Sequence, residues 1–285
     1  MIPMAFDYVR PSTVDEAIAA LAAAGEDGKV ISGGQSLMPV LRLRMAAPTT
    51  LVDIGSIAEM KGVTDGGDHI VVGANTTHYE VMNDAMVKQH APLLAQAAST
   101  VADPAIRHRG TFGGSLAHAD PAGDLPTVAL ALDATMVAKG PNGTREIAAK
   151  DFFVDYFTSA LEPEEILVAV KVPKLGDGWS THYEKFNRTA QAWATVGVAA
   201  AVKRQNGTIA EARVALTNMG PSPVRASSVE AALAGAAASA DAIAAAAANA
   251  ADGTRPTSDL HASAEFREHL AKVLTKRAVA TAAGV

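Results

Sequence analysis

Apolar positions at Val14, Ala17, Ile18, Leu21 and Ala22 recur at helical spacing until Gly25, and Thr13-Val14-Asp15-Glu16 ahead of them has the form of a capping box. Val30-Ile31 predicts a short buried strand, Leu37 to Leu43 a short helix ending at Arg42 and Arg44, and Thr50–Ile54 a further strand. Asp65-Gly66-Gly67-Asp68 marks a turn before the strand Ile70-Val71-Val72. Helices are predicted near Tyr79–Met86 and Pro92–Thr100, and Leu125–Leu132 is a short apolar stretch. Thr135–Ala138 and Arg145–Ala148, separated by Pro141-Asn142-Gly143, predict a hairpin. Ile166–Val172 alternates as a strand that Pro173 ends.

Lys174-Leu175-Gly176-Asp177-Gly178 reads as a linker. Beyond it Trp179–Phe186, Thr195–Lys203 and Thr208–Thr217 predict three antiparallel strands, the last two joined at Asn206-Gly207, a strong hairpin signal. From Val224 the pattern turns helical, with an alanine-rich, helix-forming stretch at 231–251. Arg255-Pro256 breaks it before a last helix from about Ala264 to Ala282. Strands grouped ahead of helices make this half α+β, and no internal repeat is visible.

With 285 residues, 49% hydrophobic and 19% charged, the chain has an ample core for one large or two ordinary domains. A formal charge of −6 argues against nucleic acid or an anionic membrane as partner. No apolar run approaches the roughly 20 residues that span a bilayer. Met1 to Asp7 carries no export signal, so the chain reads as cytoplasmic. It contains no cysteine, which rules out a thiolate-held iron–sulfur cluster, a cysteine nucleophile or a disulfide.

Two glycine doublets carry the chemistry. Ser32-Gly33-Gly34-Gln35-Ser36 follows the first strand, and Thr111-Phe112-Gly113-Gly114-Ser115 opens a run ending in Asp120-Pro121-Ala122-Gly123-Asp124. Adjacent glycines let main-chain N–H groups press on a ligand, and the flanking Ser, Thr and Gln add donors. That chemistry suits a diphosphate gripped from two sides. Neither a G-x-G-x-x-G fingerprint after a strand nor a P-loop is present. Gly113-Gly114-Ser115 lacks the closing glycine of a nucleophile elbow, and the eight histidines show no metal-ligand spacing. His118 is expected to order its loop through a hydrogen bond, and Arg107 and Arg109 to order the loop or meet a partner. Asp120 and Asp124 read equally as turn residues and as acceptors for ligand hydroxyls. Lys185 reads as a solvated strand residue or a cation at the ligand, and Trp193 as a core aromatic or a cleft-edge one.

These two motifs, with Ile106-Arg107-His108-Arg109-Gly110 before the second and Leu125-Pro126 after it, resemble the FAD-binding motifs of the medium subunit of molybdenum hydroxylases. This is the aerobic carbon monoxide dehydrogenase and xanthine dehydrogenase family. The similarity runs from Phe6-Asp7-Tyr8-x-Arg10-Pro11 through Glu162-Pro163-x-Glu165-Ile166-Leu167 to Lys185-Phe186 and the helical tail. The resemblance implies an α+β, two-lobed FAD domain of the vanillyl-alcohol-oxidase type over 1–176, with lobes of about 1–56 and 57–176. A smaller C-terminal domain, three antiparallel strands plus helices, would cover 177–285. It implies that Ser32, Gly33, Gly34, Gln35, Ser36 and Leu37, with Thr111, Phe112, Gly113, Gly114 and Ser115, hold the FAD pyrophosphate. Asp124, with Asp120 nearby, would meet the ribityl chain. Leu167, Lys185 and Trp193 would lie at the flavin end, Lys185 as a cation favouring the reduced form, and Val101 near the adenosine part. His108, Phe112 and Gln35 depart mildly from the family pattern without removing a donor.

The resemblance further implies an electron-transferring flavoprotein subunit with no catalytic or metal-binding residues of its own. Its partners would be a small subunit with two [2Fe–2S] clusters and a large molybdopterin subunit, in a dimer of heterotrimers attached at most peripherally to the membrane. Carbon monoxide is the favoured substrate, because Met1-Ile2-Pro3, Phe6-Asp7-Tyr8 and Tyr156-Phe157-Thr158 are similar to those members. Purines, N-heterocycles and aldehydes stay open, as do quinone, NAD and oxygen as acceptors. The rival readings are a free-standing flavin oxidase, which lacks a general-base constellation, and a scaffold without flavin.

Overall fold

A computed structural model describes residues 2–285, so Met1 of the N-terminal resemblance lies outside the described residues. Strands β1 (Asp7–Val9), β2 (Gly28–Ile31) and β3 (Thr50–Asp53) form a parallel sheet in the order β1-β3-β2. The helix Val14–Ala24 makes the first crossover and ends at Gly25, whose φ of 63° suits glycine. Its cap differs from the predicted box. Thr13 Oγ1 accepts from Glu16 N at 3.2 Å, but the Glu16 carboxylate accepts from Ser12 instead of reaching back to Thr13. The strand read as buried, β2, is half-buried, at a sheet edge.

The second sheet is antiparallel: β4 (Val63–Asp65), β5 (His69–Gly73), β6 (Thr135–Gly140), β7 (Gly143–Ala148) and, after a small hairpin of β8 (Phe153–Asp155) and β9 (Thr158–Ser159), β10 (Ile166–Pro173). Their order is β4-β5-β10-β6-β7, with a bulge in β10 between Leu167 and Ala169. The helix predicted near Tyr79–Met86 is two, His78–Asn83 and Ala85–His90. Asp84 divides them because its carboxylate accepts from Met86 N at 2.9 Å and Val87 N at 3.0 Å, capping a new helix. Leu125–Leu132 proves helical, over Asp124–Ala131, and every residue of that helix is buried.

The third sheet holds the predicted strands as β11 (Trp179–Phe186), β12 (Val196–Gln205) and β13 (Thr208–Thr217), plus a short β14 (Val224–Arg225). β12 reads as one apolar run because both of its faces are buried. Val196, Val198, Ala200 and Val202 join the core under the long helix Ala264–Ala283. Ala199 and Ala201, pointing the other way, join the core of the first part of the chain. That face carries alanines, so the helices Pro92–Thr100 and Asp124–Ala131 pack closely on it. The alanine-rich stretch is interrupted. Helices Ser227–Leu233 and Ala240–Ala247 are separated by a segment in which Ala236 O accepts from Ile209 N and Gly207 O from Ala238 N. Pairing with the β12–β13 turn overrides helix propensity there. No helix among the described residues is long and apolar enough to cross a membrane.

Candidate functional site

The glycine motifs meet. Ser32 follows β2, and its Oγ donates to Asn75 Oδ1 at 2.7 Å while lying 3.0 Å from Thr111 Oγ1. A Cβ on Gly33 would fall 2.2 Å from the Arg109 carbonyl oxygen and 2.9 Å from Gly110 Cα. Only glycine allows that approach. Gly34 has φ +74°, the second position where glycine is needed. Among the described residues the backbone N–H groups of Gly33, Gly34, Gln35, Ser36 and Leu37 find no protein acceptor; the next, Met38 N, bonds Gly34 O at 3.0 Å. Five consecutive open donors beside a backbone crossing are a nest for an anion.

The second doublet is built differently from the loop the sequence suggested. It lies inside a helix, Phe112–His118, capped by Thr111. Its amides are already engaged: Phe112 N with Thr76 O and Gly113 N with Ala74 O, both at 2.9 Å, and Ser115 N with Thr111 O at 3.0 Å. Gly114 N reaches Thr111 Oγ1 at 3.2 Å. Gly113 is a packing glycine, since a Cβ there would lie 2.4 Å from Ala74 Cβ. Leu167, buried on β10, sits beside Val168, whose carbonyl accepts from Ala74 N at 3.0 Å.

A cleft of about 230 Å³ opens at the carboxyl ends of β1, β2 and β3, where open parallel sheets take ligands. Ser32, Gly33, Asn75 and Thr111 form part of its wall, and Arg10, Lys61 and Arg109 outnumber Asp53 and Glu80 along it. Both carboxylates are held: Asp53 by Gly55 N and Tyr8, Glu80 by Thr77 N and Oγ1. Arg107 orders its loop as expected, donating to Val101 O at 2.8 Å and Ala102 O at 3.0 Å. His118 does not order its loop by a side-chain hydrogen bond among the described residues; its ring packs 5.2 Å from that of Phe157, and burial lowers its pKa.

Further along, Asp124 lies buried at the start of its helix. Tyr183 OH donates to Oδ1 at 2.6 Å and Lys185 Nζ to Oδ2 at 2.7 Å. Burial raises the Asp124 pKa, against the opposing pull of Lys185 and Tyr183. Lys185 is neither a solvated strand residue nor a free cation, because its side chain is 6% exposed and its charge is compensated by Asp124. Lys185 Nζ also donates to Thr100 O at 3.2 Å. Thr100, Ala102 and Lys185 line one cavity of about 620 Å³, with Val101 between the first two along the chain. Asp120 makes a local turn, Oδ1 accepting from Ala122 N at 2.9 Å, and burial raises its pKa. Trp193 is 56% exposed on the loop before β12, so it is not a core aromatic. On the same loop Gln191 Nε2 donates to Asp103 Oδ2 at 2.7 Å across the cavity.

Residues 4–175 match the family model described as the FAD binding domain in molybdopterin dehydrogenase. Residues 181–282 match the CO dehydrogenase flavoprotein C-terminal domain. The chain belongs to this flavoprotein family. It is 38% identical over 279 residues to the carbon monoxide dehydrogenase medium chain of Hydrogenophaga pseudoflava, covering 98% of this chain and 97% of that one. It is also 38% identical to the 6-hydroxypseudooxynicotine dehydrogenase complex subunit alpha of Paenarthrobacter nicotinovorans, covering 99% and 96%. Among solved structures, the Hydrogenophaga pseudoflava carbon monoxide dehydrogenase that lacks the Mo-pyranopterin moiety superposes with a TM-score of 0.96 at 40% identity, covering 100% of this chain and 99% of that one. Quinoline 2-oxidoreductase from Pseudomonas putida 86 gives 0.95 at 34% identity, with the same coverage.

Membership makes the chain an oxidoreductase subunit with FAD as its cofactor. The residues present fit that group. The open amides of 33–37, held beside the Arg109–Gly110 backbone by the bare Gly33, suit paired phosphates, while the absence of cysteine leaves no thiolates for an iron–sulfur cluster. Asn75, Tyr183 and Lys61 went unnoticed in the sequence. Asn75-Thr76-Thr77 directly after an apolar strand, and Tyr183 on the same strand face as Lys185, were the available signals.

Proposed function

We propose that this chain is the FAD-carrying medium subunit of a molybdenum hydroxylase of the carbon monoxide dehydrogenase type, passing electrons from a partner's [2Fe–2S] clusters to an external acceptor. The observation that carries it is the run of open amides at 33–37 against Arg109 and Thr111. In this reading Ser32, Gly33, Gly34, Gln35, Ser36 and Leu37 bind the pyrophosphate through the main chain. Thr111 and Ser115 supply hydroxyls, Gly114 gives the pyrophosphate room beside them, and Phe112 and Gly113 seat the start of that helix against Ala74 and Thr76. Asp124, with Asp120 beyond it, accepts from ribityl hydroxyls, Leu167, Lys185 and Trp193 border the isoalloxazine, and Val101 lies near the adenosine part. Bound FAD supplies a ring that takes up electrons singly and releases them in pairs. The FAD-binding unit is residues 1–176, in lobes of about 1–56 and 57–176, and the second unit is 177–285. We also place the chain in a cytoplasmic dimer of heterotrimers with an iron–sulfur and a molybdopterin subunit.

Gly33→Ala tests the reading directly. Its Cβ overlaps the Arg109 carbonyl and pushes the loop of open amides out of place, so FAD affinity of the full chain falls about 100-fold, roughly 2.8 kcal/mol. The variant should be purified colourless and stay so on mixing with FAD. Wild-type flavin content in Gly33→Ala would end the proposal. A second substrate class, N-heterocycles, is favoured by the equal 38% identity to the 6-hydroxypseudooxynicotine dehydrogenase subunit. Turnover by the assembled complex on carbon monoxide against an N-heterocycle separates the two.

A further inference from the structure

The ring of Tyr183 belongs to the C-terminal sheet, yet its hydroxyl reaches into the first part of the chain. It donates to Asp124 Oδ1 at 2.6 Å and lies 3.2 Å from Thr217 Oγ1, which in turn donates to Thr127 Oγ1 at 2.8 Å. Each hydroxyl has one proton. With the Thr217 proton on Thr127, the Tyr183 proton goes to the carboxylate alone. The neighbouring strand makes room for this contact. A Cβ on Gly197 would stand 2.6 Å from Tyr183 OH and 2.9 Å from Thr217 Oγ1, so Gly197 is a notch cut for the phenol. Burial and the charge of Asp124 hold the Tyr183 pKa well above its ordinary value, so the phenol stays a donor.

We infer that Tyr183 is a positioning residue for cofactor binding, turning the Asp124 carboxylate toward the cofactor's polyhydroxyl chain, with Gly197 as the gap that admits it. Lys185 takes Oδ2 and Tyr183 takes Oδ1, which fixes the carboxylate plane and leaves one lone pair on each oxygen for a ligand hydroxyl. The C-terminal sheet therefore contributes to FAD affinity without touching the dinucleotide's phosphates. This rests on the proposed role of Asp124 at the ribityl chain.

The test compares FAD with ADP, which shares the diphosphate but lacks the ribityl chain, on the full-length protein freed of flavin. Tyr183→Phe removes one oxygen from a buried ring and keeps its shape. It weakens FAD about tenfold, the scale of one hydrogen bond to a charged group, and leaves ADP affinity within about twofold. Gly197→Ala, which displaces the same hydroxyl, gives the same split. On an Asp124→Asn background, Tyr183→Phe adds no further loss. Equal weakening of FAD and ADP by Tyr183→Phe would mean general loosening and overturn the inference, as would unchanged FAD affinity. If Asp124→Asn itself leaves FAD affinity unchanged, the ribityl reading of Asp124 fails and takes the inference with it. If wild-type protein binds neither ligand, the flavin reading fails.

Discussion

His78 is 5% exposed beside the second glycine motif; its backbone N–H donates to Gly110 O at 2.9 Å, and its ring Nδ1 has no hydrogen-bond partner among the described residues. Burial, helped by the Arg107 charge, lowers its pKa from 6.5 to about 4, so it is neutral in the folded chain. The unfolded chain therefore binds more protons below neutrality, and stability drops as the pH is lowered. This contribution is whole above pH 6.5 and lost progressively down to about 4, a swing of roughly 3 kcal/mol. His78→Gln should flatten the dependence of urea midpoint on pH relative to wild type across that window. Parallel curves for the two proteins would show that His78 is not the titrating group. Gly33 and Gly113 lack a Cβ for related reasons: one lets the Arg109–Gly110 backbone cross beside the open amides of 33–37, and the other lets its helix pack on Ala74.

Elements with a clean period were legible in the sequence, and those set by contacts distant in the chain were not. The β12–β13 hairpin could be read because Asn206-Gly207 joins two apolar runs, and the helix after Thr13 because its stripe and glycine stop agree. β1 escaped notice: three residues, all exposed, with a parallel neighbour 43 positions away at Thr50. The second glycine doublet read as a loop because glycine is a poor helix former, yet Ala74 O and Thr76 O anchor its first amides and start a helix there. Of the candidate site, the sequence marked the two glycine motifs that the structure brings together at Ser32, Gly33 and Thr111, whereas Asn75 and Tyr183 gain meaning only when β5 and β11 arrive beside them. The break at Asp84 is a similar tertiary detail with a local cause. Asp84→Ala should cost about 1 kcal/mol through loss of both cap bonds, read as a lowered melting temperature. An unchanged melting temperature would show that the two helices do not need that cap.

Across the whole molecule, the two cores meet at the alanine face of β12, and near that seam lies the buried ion pair Lys185–Asp124, with side chains 6% and 3% exposed. Lys185→Met strands a buried carboxylate and should destabilise the fold by about 3–5 kcal/mol, whereas Lys185→Met with Asp124→Leu recovers most of it. Equilibrium denaturation of the two variants decides; equal loss in both would mean that the pair's charge is not the issue. Such a seam also limits how pieces of related proteins can be exchanged. A hybrid that takes its tail from one homologue and its front from another inherits half of a matched set. Unless the acid at 124, the phenol at 183, the amine at 185 and the bare position at 197 travel together, the graft would join two sound halves around a mismatched seam.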